Sequence, residues 1–249
     1  MRTESLPAMD YTRGISFSQI MDETPHSADS LQEKSFAGFL LGVKRLMDFS
    51  FSMFFLLAAW PLLLLVSTTV KLSSPGPVFF RQERVGLRGR SFLIYKFRTM
   101  FHTDSQKDHK AYIRYLLHEG IGAESKPDLL ERYINHVQSY VTPVGALLRA
   151  TSLDELPQMI NILSGRMSLV GPRPHPVYEV QAYKPWYFRR LEVKPGLTGW
   201  SKINLRLTPE NYEESILYDL WYVDHWNLLL DLKIILMTIP YVLSMRDVY

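Results

Sequence analysis

Thr151-Ser152-Leu153-Asp154-Glu155-Leu156-Pro157-Gln158 is the stretch on which the reading turns. It sets two adjacent carboxylates where a helix is expected to begin. Ser152 and Glu155 have the spacing of a capping box, and Pro157 still fits inside a first turn, where its missing N–H matters least. Asp154 would then lie among unpaired backbone N–H groups, which favour a carboxylate and attract phosphate. Arg149 precedes the motif, and Arg166 and Arg173 follow it. Taken alone, the stretch reads either as a well-capped helix of a soluble fold or as an acidic nucleophile or metal ligand beside a phosphate cradle. The surrounding chain decides between the two.

The chain has 249 residues, of which 47% are hydrophobic and 13% aromatic, enough for a real core in one large domain or two small ones. A formal charge of +3 is too small to point to nucleic acid. The absence of Cys excludes disulfides, zinc–thiolate sites and a Cys nucleophile. The His residues are scattered without metal-ligand spacing.

Residues 1–35 are polar and of mixed charge. No apolar run follows a basic start, so the segment reads as a mobile tail rather than a signal peptide. From Phe49 to Val70 there is no charged residue, long enough to cross a bilayer. Pro61 sits in the middle beside Trp60, and an interior proline kinks a helix. Both flanks are basic, with Lys44 and Arg45 before and Lys71, Arg81 and Arg84 after, which disfavours exporting either side. A re-entrant helix over 36–72, entering and leaving by one face, is therefore expected in place of a spanning one.

After the turn Ser73-Ser74-Pro75-Gly76-Pro77, Val78–Arg81 and Ser91–Arg98 read as strands joined at Gly86-Leu87-Arg88-Gly89. Arg84, Arg88 and Arg90 suit an anionic lipid surface. Lys96 and Arg98 alternate with Tyr95 and Phe97, and so are expected on one face. Residues 104–140 read as two accessory surface helices. Ser164-Gly165 is expected to close the helix that carries the carboxylates. Met167–Val170 reads as a buried strand, followed by Gly171-Pro172-Arg173-Pro174-His175-Pro176, a rigid loop suited to presenting one Arg to phosphate. Val177–Val193 reads as an aromatic, basic helix and Glu210–Tyr222 as a helix carrying Asp219. Asn227–Tyr241 is apolar but interrupted by charges and Pro240, hence interfacial or core.

Several motifs occur in a fixed order. They are Lys44-Arg45-x-x-Asp48, the Pro61-broken apolar helix, Ser74-Pro75-Gly76-Pro77-x-Phe79-x-Arg81-Gln82 and Lys96-Phe97-Arg98-Thr99-Met100. Ser152–Gln158, Met167–Pro174 and Pro195-Gly196-x-Thr198-Gly199 complete the set. Each is weak alone. As an ordered set over about residues 38–245, the chain resembles the bacterial sugar transferases, monotopic polyprenyl-phosphate phosphoglycosyl transferases.

The resemblance implies an α/β fold, mainly α: a re-entrant membrane helix packed on a small cytosolic catalytic domain with interfacial amphipathic helices. The tail 1–35 stands apart from the membrane-associated transferase domain, 36–249. The resemblance also implies transfer of sugar-1-phosphate from a UDP-sugar to undecaprenyl phosphate with release of UMP. This would be the first membrane step of bacterial exopolysaccharide, capsule, O-antigen or glycoprotein glycan assembly. Asp154 matches the family's nucleophile, Glu155 its partner, and the pair would share Mg²⁺. Lys96, Arg98, Arg149, Arg173, Arg206 and Asp219 are the expected substrate- or phosphate-binding residues. The implied partners are UDP-sugar, undecaprenyl phosphate and membrane lipid, with a second copy of the chain as a further candidate and no nucleic acid. The implied location is the cytoplasmic face of the bacterial inner membrane.

The physical chemistry agrees, because phosphoryl transfer needs charge neutralisation and in-line positioning more than strong acid or base. Two departures stand out. Gln138-Ser139-Tyr140 replaces the family's Asp-Pro-Arg, and Lys202-Ile203-Asn204-Leu205-Arg206 stands where the family has Gln-Val-x-Gly-Arg. They motivate one alternative, a catalytically degenerate member serving as a scaffold or regulator in a glycan-assembly complex.

Overall fold

The computed structural model describes residues 31–101, 139–205 and 211–244. Residues 1–30 of the expected tail, nearly all of the accessory segment 104–140 and Arg206 lie outside the described residues, whereas 31–35, expected as tail, open the first helix. The architecture is mainly helical α/β, with one long apolar N-terminal helix and two small sheets.

Helix α1, Leu31–Ser73, runs for 43 residues with Pro61 inside it. At 1.5 Å per residue that is about 65 Å, roughly twice the hydrocarbon core of a bilayer. Phe49, Phe54, Leu57, Trp60, Leu64 and Leu65 all stand exposed. Only 11% of its most apolar window is buried, so the protein leaves this helix to an apolar environment outside itself. Its N-terminal half carries three polar anchors into the domain. Lys44 Nζ donates to the Val170 carbonyl at 3.0 Å and pairs with Asp231 at 2.5 Å. Arg45 donates to the Ile162 and Leu163 carbonyls. Asp48 accepts from the Leu169 N–H at 2.9 Å and from Ser168 Oγ at 3.1 Å. Hydrogen bonds to charged groups stabilise by about 1.5–3 kcal/mol each, so the motif Lys44-Arg45-x-x-Asp48 joins helix and domain into one body.

The strands β1, Phe79–Val85, and β2, Ser91–Phe97, pair antiparallel in the register Phe80↔Lys96, Gln82↔Ile94, Arg84↔Phe92. The connecting turn uses Arg88 and Gly89 at positive φ. Helix α2, Pro143–Ala150, opens on Thr142, whose Oγ1 accepts from the Gly145 N–H, and on Pro143 at its first position. Val66 and Val70 of α1, Phe97 of β2 and Leu148 of α2 form one buried cluster.

The main core joins the hairpin to the rest. Phe92 and Ile94 pack with Met159 and Ile162 of α3, Met159–Leu163, and with Val170 of β3, Ser168–Val170. Gly165 lies at φ +76 after Ser164, so the expected glycine closure of this helix is present. Strand β3 pairs parallel with β4, Gly196–Thr198. Side chains are excluded at the crossing, since a Cβ on Gly196 would stand 2.1 Å from the Gly171 nitrogen. This backbone-only contact sets the Gly-Pro-Arg-Pro loop against the Pro-Gly-x-Thr-Gly turn.

The single helix expected over Val177–Val193 is not formed. A one-turn helix α4, Val177–Val180, is followed by a 3₁₀ segment, Pro185–Glu192. Pro185 lacks the N–H that a continuing helix would need, and its ring disfavours helical geometry at Lys184. Lys184 is accordingly extended, with ψ 152. Helix α5, Trp200–Asn204, leads towards α6, Tyr212–His225, and α7, Leu228–Leu243, whose N-cap Asn227 accepts from the Leu230 N–H. Leu230, Asp231 and Ile234 of α7 face the core, while Leu229, Leu232, Leu236, Ile239 and Leu243 form an exposed apolar stripe.

Candidate active site

Asp154 and Glu155 lie on a 3₁₀ segment, Leu153–Gln158, that precedes α3. The expected capping box is absent. Ser152 adopts the left-handed conformation, φ 54, and its side chain caps nothing. An N-cap needs extended backbone, and Glu155 has stronger partners than a backbone N–H. The carboxylates therefore stand ahead of a five-residue helix, and cationic side chains rather than a long helix dipole govern their charge.

Lys96, from the end of β2, puts Nζ 2.6 Å from Glu155 Oε1 and 3.7 Å from Asp154 Oδ2. Lys202, from α5, donates to the other oxygen, Glu155 Oε2, at 2.9 Å. Arg173, from the Gly-Pro-Arg-Pro loop, lies 3.9 Å from Glu155 and keeps 51% of its side chain exposed. Arg149, on α2, donates from Nε to Thr99 Oγ1 at 3.0 Å and acts electrostatically on Asp154. Three elements remote in sequence, together with the adjacent α2, thus converge on the dyad. They open onto a cleft lined by Lys96, Glu155, Arg173 and Lys202, with Arg84 at its side and Gly171 and Gly199 in its wall.

Two expected ligands go elsewhere. Strand β2 ends at Phe97, so Arg98 steps off the face that carries Lys96. Its guanidinium donates to the carbonyls of Val70, Ser74 and Pro75, closing the C-terminal end of α1. Asp219 is buried and pairs with Arg190 at 2.6 Å while accepting from Ser201 Oγ, also at 2.6 Å. Arg190 also donates to the Arg173 carbonyl at 3.0 Å. Asp219 therefore braces the elements that carry Lys202 and Arg173 and does not line the cleft. Arg84, read from the sequence as a lipid-facing cation, turns inward and donates to the Pro174 carbonyl at 2.9 Å.

Lys202 is the site residue that the sequence reading missed. Its signal was the departure at 202, where a basic residue replaces an amide.

The two carboxylates are driven apart electrostatically. Burial raises Asp154 above the usual carboxylate value, aided by the Glu155 charge and opposed by Lys96 and Arg149. Burial also opposes ionisation of Glu155, but Lys202, Lys96 and Arg173 outweigh it and hold Glu155 well below the usual range. Neighbouring groups pushed in opposite directions take separate roles. Glu155 is a fixed anion that positions two ammonium groups. Asp154 is desolvated, more basic and only loosely paired.

No cluster of three or more metal-ligating side chains occurs among the described residues. The donor set still suits a hard cation of the kind held by one or two carboxylates together with substrate phosphates. With an ammonium group on each Glu155 oxygen, Asp154 is the better-placed carboxylate for it.

A cationic cleft with a buried carboxylate pair is thus joined to one long, exposed apolar helix of a length and composition able to enter a membrane. The chain belongs to the bacterial sugar transferase family, whose sequence profile matches residues 39–245. It is 41% identical over 213 residues to a UDP-glucose:undecaprenyl-phosphate glucose-1-phosphate transferase of Xanthomonas campestris pv. campestris, covering 83% of this chain and 40% of that protein. It is 40% identical to the uncharacterized sugar transferase EpsL of Bacillus subtilis, with 81% and 87% covered. It is 38% identical to the exopolysaccharide production protein ExoY of Sinorhizobium fredii, with 83% and 88% covered. The chain thus spans two fifths of the glucose-1-phosphate transferase and most of the other two.

Proposed function

We propose that this protein transfers sugar-1-phosphate from a UDP-sugar, UDP-glucose in the first instance, to undecaprenyl phosphate at the cytoplasmic face of the bacterial inner membrane. The product feeds polysaccharide assembly. The observation that carries this reading is the division of labour in the dyad. Glu155 is neutralised by Lys96 and Lys202, while Asp154 is left buried and more basic beside a cationic cleft.

An Asp154 carboxylate oxygen attacks the phosphorus bearing the sugar. The bond from that phosphorus to the bridging oxygen breaks, and UMP leaves with the electron pair. A phosphate oxygen of the lipid then attacks the same phosphorus, and the Asp154 carboxylate departs. Splitting the transfer lets an aqueous and a membrane substrate use one site in turn. Lys96, Lys202, Arg149 and Arg173 neutralise the charge of the diphosphate and of the leaving UMP. Mg²⁺ held by Asp154 and the substrate phosphates would add further charge stabilisation. Intact Lys96, Arg149 and Arg173 around the dyad favour an active enzyme over a scaffold.

The test is to incubate the purified full chain with UDP-glucose labelled on the sugar-proximal phosphate, without lipid acceptor, and to map the adduct. An adduct on Asp154, lost in Asp154→Asn with folding retained, is the expected result. An adduct on Glu155 would reverse the roles. UMP release only in the presence of undecaprenyl phosphate, with no adduct, would replace the two-step scheme by direct attack.

A further inference from the structure

Gln158 closes the 3₁₀ segment that carries the dyad, Leu153–Gln158. Such a helix has three residues per turn, so side chains three positions apart eclipse. Gln158 therefore stands one turn beyond Glu155 on the same side of the segment, and both line the cleft. At about 2 Å of rise per residue, Gln158 lies roughly 8 Å along the segment from Asp154.

The other polar side chains of the cleft wall have protein partners. Lys96, Lys202 and Arg173 pair with Glu155. Arg84 donates to the Pro174 carbonyl, and Thr198 bonds to Thr238. Gln158 stands before α3, but its side chain does not cap that helix. Among the described residues no other hydrogen bond reaches its amide, although the residue is only 3% exposed. Neither amide atom belongs with the sealed, unpaired polar atoms, Ser52 Oγ, Arg84 Nε and Arg98 Nε. The amide thus keeps a narrow opening, and the cavity that Gln158 lines is the cleft. Asn161, three residues further on, shows the usual fate of a buried amide. Its Nδ2 donates to the Leu93 carbonyl at 2.7 Å, and its Oδ1 accepts from the Tyr95 N–H at 3.2 Å. Buried polar groups are nearly always satisfied, because stranding one is costly. An unused amide in the wall of a cleft calls for a ligand group that completes it.

The amide itself limits what that group can be. It offers two donors and one acceptor and carries no charge. The oxygens of a diphosphate only accept, and would leave Oε1 facing an anion. A hydroxyl both donates and accepts. In a UDP-sugar the hydroxyls nearest the reacting phosphorus are those of the transferred sugar, whose ring is joined to that phosphorus through one oxygen. The uracil is farther away by a phosphate and a ribose.

We propose that Gln158 is a substrate-binding residue that hydrogen-bonds a hydroxyl of the transferred sugar and so takes part in choosing the sugar. The inference rests on the reading of this cleft as the UDP-sugar site and deepens it. Asp154 acts on the phosphorus, and Gln158 recognises the ring attached to it. A site built to bond a hydroxyl rejects an analogue that lacks it, because its own polar group is then stranded.

The test measures binding by calorimetry in the full-length Asp154→Asn protein, with UDP-glucose and UDP as separate probes. Gln158→Met, added to that parent, keeps the length of the side chain and removes the amide. It is expected to weaken UDP-glucose about tenfold, the scale of one hydrogen bond whose loss strands a partner, and to leave UDP unchanged. Monodeoxy analogues of UDP-glucose are then compared in both backgrounds. The one lacking the contacted hydroxyl should bind the parent more weakly than UDP-glucose does, and bind Gln158→Met equally well. Unchanged UDP-glucose affinity in Gln158→Met would overturn the proposal. So would an equal loss for UDP, which puts the amide on the nucleotide or, with a lowered melting temperature, makes it structural. The UDP-sugar reading fails separately, if the Asp154→Asn parent binds neither probe, and the sugar assignment of Gln158 then falls with it.

Discussion

Lys202 and Glu155, 47 residues apart in the chain, meet at 2.9 Å, and this contact fixes which of the two carboxylates remains available for chemistry. With Lys96 on its other oxygen, Glu155 cannot approach an electrophile without breaking an ion pair.

Replacing Lys202 by Gln removes one of the charges that hold Glu155 ionised. A hydrogen bond to a charged group is worth about 1.5–3 kcal/mol, so kcat/KM is expected to fall roughly tenfold to a hundredfold, with substantial rescue in Lys202→Arg. The pH profile gives an independent readout. In the native protein the acid limb is expected to follow Asp154, whose carboxyl is raised from its ordinary value by burial, while Glu155, held low by Lys202, Lys96 and Arg173, stays charged across the same range. In Lys202→Gln, Glu155 loses a depressing charge and its protonation moves up towards that limb. A drop in rate with an unshifted profile would deny this role to Lys202.

His175 makes stability depend on pH. Burial and the Arg190 charge push it from 6.5 down to about 4, although Glu179 opposes them. Tyr183, Tyr212 and Asp219 complete its charged and titratable surroundings. Between about pH 6.5 and 4 the unfolded chain binds a proton that the folded protein refuses. Stability is therefore expected to fall as pH drops through that window, by up to about 3 kcal/mol. Glu179, depressed to about 2, adds its own loss at lower pH. Denaturant titrations at pH 7, 5.5 and 4.5 check this, and His175→Gln should flatten the dependence.

Asp219 is expected to report on folding before chemistry. Truncation to Ala strands the buried Arg190 guanidinium, and breaking such a pair costs about 3–5 kcal/mol. The melting temperature should fall markedly. The loss should be partly shared with Ser201→Ala in a double-mutant cycle, because Ser201 bonds the same carboxylate. Full thermal stability with a raised KM would instead make Asp219 a ligand.

Pro61 and the basic flanks are the reason to test whether α1 is re-entrant. In the re-entrant arrangement, Cys residues introduced at Ser18 and Ser105 should both be protected in intact cells and both react in inverted vesicles. Labelling from opposite faces would establish a spanning helix. Pro61→Leu should favour spanning, because the charge-free stretch Phe49–Val70, once straight, is long enough to cross the hydrocarbon core.

Much of this architecture was legible in the sequence, for reasons that differ from element to element. The hairpin could be read because period-two alternation and a Gly-Leu-Arg-Gly turn are local signals, and the apolar helix because length and composition suffice. Lys96, Arg149 and Arg173 were legible through resemblance and do gather at the dyad. Arg98 was not, because whether it follows Lys96 onto one face depends on where β2 stops, and that is set by contacts with α1. The capping box failed because spacing carries no information about the competing ammonium groups of Lys96 and Lys202, which arrive from 59 and 47 residues away. Arg84 and Asp219 were misjudged for the same reason. A charged residue's partner is a tertiary fact.

The anchoring of α1 by Lys44, Arg45 and Asp48 has a consequence for how the two proposed substrates arrive. A catalytic domain on a flexible tether would sample many heights above the bilayer and would meet a lipid headgroup only in a fraction of them. Here the exposed apolar helix and the cleft are tied into one frame, so insertion of that helix in a bilayer would set the altitude of Asp154 once. The lipid phosphate then needs only lateral diffusion to reach it, a search in a plane rather than in a volume. Loosening Lys44 from Asp231 would leave every group of the cleft chemically intact and still lower the frequency of productive encounters with lipid, while capture of the water-soluble donor continued unchanged.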